Sequence, residues 1–111
     1  NLHGTGTEQN DKMEARAVQR VFGNDIACSS TKPLTGHTLA ASGAIEAVFC
    51  WLALQREDDR LPPHRWDGQA DPDLPVLTGI TTTKLGKKLT TAMSNSYAFG
   101  GNNTSLIMVR E

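Results

Sequence analysis

Three short polar runs interrupt the apolar pattern of this chain: His3-Gly4-Thr5-Gly6-Thr7, Thr31-Lys32-Pro33-Leu34-Thr35-Gly36-His37 and Phe99-Gly100-Gly101-Asn102-Asn103. Each falls where a strand is expected to end or a helix to begin, the edges at which α/β folds place their sites. His3 stands among glycines that let the backbone approach a ligand closely. A single histidine of this kind is commonly just a structural hydrogen-bonding group. Thr5 and Thr7 offer hydroxyls to a polar chain, and the run matches neither a dinucleotide-binding glycine pattern nor a Walker motif. His37 opens an apolar helix, where a neutral imidazole can donate through one ring nitrogen to a developing oxyanion. Lys32, five residues earlier, is either solvent-exposed or paired. Glu46 is the fitting partner, because a carboxylate in an apolar helix needs a counter-charge. His3, Cys28, His37 and Cys50 have metal-ligand atoms, but their spacing fits no zinc pattern and no metal is expected. No G-x-S-x-G elbow occurs.

The elements that must position these residues can be read from the apolar periodicity. Residues 1–7 read as a strand running into a glycine-rich turn. A helix is predicted over about 11–22, with Asp11 and Glu14 as a capping box and Gly23-Asn24 as its stop. Met13, Ala17, Val18, Val21 and Phe22 form its apolar face. Residues 26–28 read as a short strand. Residues 37–56 read as a helix with one charge, Glu46, between Thr38 and Leu54. A helix without a polar face is expected to be buried on all sides. It is short for a bilayer and carries that carboxylate, so a membrane span is not expected. Residues 57–75 hold four prolines and read as a surface loop, with Trp66 as its anchor. A strand is predicted at 76–80, then a solvated basic stretch with Lys84, Lys87 and Lys88. Strands at 93–98 and 105–109 close the chain around the turn FGGNN.

The chain has 111 residues, suited to one small domain over 1–111. Eleven basic against twelve acidic residues leave a net charge of −1, which argues against nucleic acid as a partner. An apolar content of 38% excludes a disordered chain. Two cysteines outside any C-x-x-C pair suggest reduced thiols and a cytoplasmic setting. The polar start shows no secretory signal, and Asn at position 1 suggests a piece of something longer.

Together the runs HGTGT followed by Asp11 and Glu14, STKPLTGHTLAASGAIE, and NSYAFGGNN resemble the C-terminal part of β-ketoacyl-acyl carrier protein synthases, condensing enzymes of the thiolase fold. The resemblance covers the whole chain and is weakest over 57–91. It implies an α/β class: part of the C-terminal half of a thiolase-like layered fold, a mixed sheet with a buried central helix. It also implies a decarboxylative condensation in fatty acid synthesis or a polyketide or polyene pathway. His3 and His37 would be the two catalytic histidines, Lys32 the lysine that orders them, and Glu46 the supporting carboxylate. Thr5 and Thr7 would hold the phosphopantetheine arm of an acyl carrier protein, the substrate carrier; no covalent cofactor is implied. Phe99, with Gly100 behind it, would gate the site. The family's nucleophilic cysteine has no counterpart here. Cys28 in ACSS lies before the lysine motif with no elbow after it, and Cys50 reads as a core thiol. Ala98 and Asn102 depart from the family's glycine and its threonine or histidine.

The implied partners are acyl carrier protein, the N-terminal half of the same enzyme, and a second or related subunit. The chain alone would be inactive, and would either associate or expose a large apolar patch. A non-catalytic partner subunit of the chain-length-factor type is the alternative. A stand-alone module binding pantetheine or lipid is a third reading.

Overall fold

The computed structural model describes residues 1–111. Helix α1 spans Glu8–Phe22, a single turn α2 spans Lys32–Thr35, and α3 spans Ser42–Gln55. Two strands follow, β1 (Thr91–Tyr97) and β2 (Asn103–Val109).

Helix α1 begins three residues earlier than the sequence suggests. Thr7, in extended conformation, is the residue before it, and no side chain caps it. Glu8 and Asp11 lie in the first turn, where the helix dipole favours negative charge. The expected capping box therefore does not form, and Glu14 is free for another task. Gly23 ends the helix as expected. Its φ is 82°, and its N–H donates to Gln19 O at 3.0 Å. Of the apolar face only Val18 is buried; Met13, Val21 and Phe22 are exposed.

Helix α3 starts later than expected. His37 and Thr38 precede it, and Leu39–Ala41 form a 3₁₀ turn. Leu39 has φ 52°, the one non-glycine residue with positive φ. That conformation interrupts the helical path at its first turn. Burial on all sides is also not what the structure shows. Ser42, Glu46, Cys50, Ala53 and Leu54 are buried, while Val48, Trp51 and Leu52 face outward. The helix packs on β1 and β2 with one side, and these 111 residues hold no layer to cover the other.

β1 and β2 pair antiparallel, from Thr91↔Val109 to Tyr97↔Asn103. β1 begins two residues earlier than expected, at its outer end, and β2 begins two residues earlier, at the turn. Gly100 and Gly101, both with positive φ, turn the chain between them. The regular sheet has only these two strands. A parallel partner is begun by Asn1, whose amino group donates to Met93 O at 2.6 Å and whose carbonyl accepts Asn95 N–H at 3.1 Å. Those two bonds follow the pattern of a parallel ladder.

The strands predicted at 1–7, 26–28 and 76–80 do not form. Residues 1–2 and 27–29 are joined only by isolated bonds, such as Leu2 N–H to Ser29 O at 2.8 Å. Residues 78–81 make a 3₁₀ turn instead. Gly79 explains the change. Its N–H reaches Asn24 O at 3.1 Å, and a β-carbon there would lie 1.8 Å from Ile26 O. The turn lies directly on the neighbouring backbone, which only glycine permits.

Residues 57–75 form a loop, as predicted. Leu61 N–H donates to Thr83 O and Leu85 N–H to Asp59 O, tying its first residues down. Trp66 does not anchor it: half exposed, its indole N–H donates to Gln69 O within the same loop. Lys84, Lys87 and Lys88 are exposed, with Lys88 paired to Glu57.

The apolar core is thin: Leu2, Val18 and Leu77, with Ala15, Cys28 and Ile80 against it. Nine of the sixteen buried residues are polar or charged, so the interior of this chain is largely its polar site. No helix is long and apolar enough to cross a membrane.

Candidate active site

The site is built around one carboxylate. Glu46 lies on the buried side of α3, and its partner is Lys32 at the start of α2. Both side chains are almost fully buried, 3% and 4% exposed. Such a pair is tolerated only when well partnered. Further contacts supply this. Lys32 Nζ also donates to His3 O at 2.5 Å, and Asn1 Nδ2 reaches Glu46 at 3.4 Å.

His3 is thus held by its carbonyl from one side. Glu14 holds it from the other, accepting the N–H groups of His3 and Gly4 at 2.8 Å each. Asn10 Nδ2 completes the Glu14 environment at 3.3 Å. Gly4 itself has a positive φ of 48°. A β-carbon on Gly4 would lie 2.4 Å from Ser30 Cβ.

With its backbone clamped, the His3 ring stands edge-on to His37, with ring centroids 5.5 Å apart and planes at 88°. The Tyr97 ring lies 5.7 Å away on another side, at 77°. Burial, and then the Lys32 ammonium, hold the His3 imidazole below its ordinary pKa of 6.5; Glu46 opposes them and His37 adds a smaller lowering. His3 is therefore neutral at pH 7. Its Nδ1 is buried without a partner in this chain.

His37 is oriented locally. Leu39 N–H donates to its Nδ1 at 3.1 Å, and Ser42 Oγ lies 3.1 Å from the same atom. A backbone N–H can only donate, so Nδ1 offers its lone pair. In the neutral ring the proton is then assigned to Nε2, which is left free to donate. Leu39 itself has a left-handed φ of 52° and leads the chain from this bond into α3. The arrangement places two imidazoles at one small volume, over a buried ion pair that holds His3 in place. Neutral donors in a fixed geometry can stabilise charge that develops on a bound carbonyl.

The other predicted residues lie elsewhere. Thr5 and Thr7 sit at the rim before α1, and their hydroxyls pair with each other at 2.9 Å. Phe99 is 97% exposed on the turn between the strands, with Gly100 beside it, and does not pack over the histidines. Cys28 is half-buried against the apolar cluster, and burial pushes its thiol up. That is the opposite of an activated nucleophile. Cys50 is buried in α3. No three His, Cys, Asp or Glu side chains gather where they could hold a metal ion.

Glu14 and Tyr97 are the members that sequence reasoning missed. The signal for Glu14 was present: it lies four residues before Val18, on the buried face of an amphipathic helix. A carboxylate there needs donors. Tyr97 carried no comparable signal, being one more aromatic in a strand.

Comparison with known proteins shows the family of the chain. The family model for the C-terminal domain of β-ketoacyl synthase matches residues 1–65, more than half of the chain. The chain is 42% identical to 3-oxoacyl-[acyl-carrier-protein] synthase 1 of Haemophilus influenzae over 99% of its own length. It is 41% identical to synthase 2 of Synechocystis over 96%, and 40% identical to synthase 1 of Escherichia coli over 97%. It covers 27%, 26% and 26% of those proteins, respectively, so the chain spans about a quarter of the length of the curated relatives it matches. No solved structure gives a significant match. The chain therefore belongs to the β-ketoacyl synthase family, matching its C-terminal domain.

Proposed function

We propose that this chain supplies the histidine half of the active site of a 3-oxoacyl-acyl carrier protein synthase. The observation that carries the reading is the edge-to-face meeting of His3 and His37 over the buried Lys32–Glu46 pair. A nucleophilic cysteine from the remainder of the longer enzyme would carry an acyl group as a thioester. A malonyl thioester, borne on the phosphopantetheine arm of acyl carrier protein, would place its carbonyl oxygen at the free ring nitrogens. As the bond to the carboxylate breaks, CO2 leaves and its electron pair becomes an enolate. Imidazole N–H groups stabilise the oxyanion. The enolate carbon then attacks the acyl thioester, the cysteine leaves as thiolate, and a 3-oxoacyl thioester results.

Lys32 and Glu46 act behind the reacting atoms. The ammonium fixes the His3 carbonyl and helps keep its ring neutral. Glu14 fixes the other end of the same residue. Thr5 and Thr7 are suited to the polar arm, since their hydroxyls are exposed and need only exchange each other for a ligand. Phe99, free on its glycine-flanked turn, is suited to cover a bound chain, with Gly100 supplying the bend. The partners are acyl carrier protein, the remainder of the enzyme and a second or related subunit, in a cytoplasmic setting. Fatty acid elongation or a polyketide or polyene pathway is served by the same chemistry. The 111 residues alone lack the nucleophile and are inactive.

The test is a half-reaction split in the full-length enzyme. His3→Ala is expected to lower malonyl decarboxylation about 100-fold or more, while acyl transfer to the cysteine survives. Equal loss of both half-reactions, or retention of decarboxylation, would overturn the role given to His3. A full-length protein without a nucleophilic cysteine would instead mark a non-catalytic partner subunit.

A further inference from the structure

We propose that His64 is a positioning residue: from the loop after α3 its imidazole holds the Ser30 backbone, and Ser30 sets the positions of Gly4 and Lys32. The inference rests on the function proposed above. Ser30 has the most deeply buried side chain in the molecule, 1% exposed. Its Oγ donates to Gly4 O at 3.0 Å and accepts Lys32 N–H at 3.3 Å. It therefore joins the residue after His3 to the residue that binds Glu46. There is no slack in this joint, because the two chains approach at Gly4 too closely for a β-carbon.

The Ser30 N–H has one partner, His64 Nδ1, at 3.1 Å. A buried backbone N–H demands an acceptor, and the loop supplies it across 34 residues. The bond also fixes the ring's state: Nδ1 must offer its lone pair, so His64 is neutral. Burial holds its pKa below the ordinary value, against the pull of Asp11 on α1. Loss of the acceptor would let Ser30 turn, and with it the carbonyl of Gly4 and the backbone of Lys32. Both bear on His3.

Two variants of equal polarity separate the acceptor's position from its presence. In His64→Asn the side-chain oxygen can occupy the place of Nδ1. In His64→Gln it falls near the place of Nε2 and misses Ser30. In the full-length enzyme, His64→Gln is expected to lower malonyl decarboxylation about tenfold, with acyl transfer within about twofold of wild type. His64→Asn should restore decarboxylation to within about threefold. A general loss of stability would lower both half-reactions together and would not distinguish the two amides. The inference is overturned if Gln and Asn behave alike, or if both half-reactions fall in parallel. If one variant fails to fold, amide exchange at Ser30 in the wild type decides: protection at neutral pH supports the bond, and free exchange overturns it. His3→Ala run alongside keeps the two proposals apart. Decarboxylation surviving there sinks the proposed function. Decarboxylation lost there, with His64→Gln equal to His64→Asn, sinks only the role of His64.

Discussion

His3 and His64 both sit below their ordinary pKa because burial disfavours the imidazolium. This has a consequence for stability. Below pH 6.5 the unfolded chain binds protons that the folded chain resists. Their contribution is therefore complete above that pH and is lost progressively as pH falls toward the depressed folded values. Urea midpoints of the full-length enzyme should drop between about pH 7 and pH 5.5, and His64→Asn should flatten part of that drop. A midpoint unchanged across the interval would contradict it. At this scale much was legible in the sequence. A lone carboxylate in an apolar helix has to be paired, and Lys32 was the cation at hand. The burial of Glu14 was signalled by its place on the apolar face, but its role was masked, because an Asp three residues before it satisfies the capping-box pattern equally well. Only the tertiary position of Gly4 shows that its carboxylate serves the start of the chain.

Elements are positioned here by close backbone contacts more than by apolar mass. Gly79 lies against Ile26 O, and its own carbonyl accepts Cys28 N–H at 3.4 Å. Gly79→Ala is expected to destabilise the fold by at least about 2 kcal/mol, since the obstructing atom is backbone and cannot rotate away. A thermal midpoint within a degree or so of wild type would refute this close approach. The same contact explains why residues 76–80 read as a strand and fold as a 3₁₀ turn. The run is rich in β-prone residues, but the glycine bends the segment onto its neighbour before a ladder can form. The start of α3 failed for a related reason. The apolar pattern runs through Leu39, whereas its left-handed backbone has no signature in composition. The β1–β2 hairpin was legible because paired glycines and asparagines lie between two β-prone runs.

Seen whole, the molecule carries an apolar surface it does not cover. Val48, Trp51 and Leu52 on α3 are exposed, as are Leu106, Ile107 and Val109 on β2, whose outer edge pairs with nothing. A cavity of about 370 Å3 opens between the first residues, α3 and β1, lined by Leu2, Cys28, Cys50 and Met93. A close-packed interior leaves few such voids. The isolated 111 residues should bind a hydrophobic dye strongly or scatter light as a dimer or larger species. A monomer that binds no dye would count against this. The sequence made α3's apolar character plain, but could not say which side this chain covers.

The loop after α3 joins these scales. It is fastened at its start by the pairing of 59–61 with 83–85 and by the His64 imidazole, whereas residues 65–73 are all exposed. Drift in length or composition along that outer arc leaves every hydrogen bond around the histidine pair untouched. That arc can therefore vary while the hydrogen bonds beneath it stay the same.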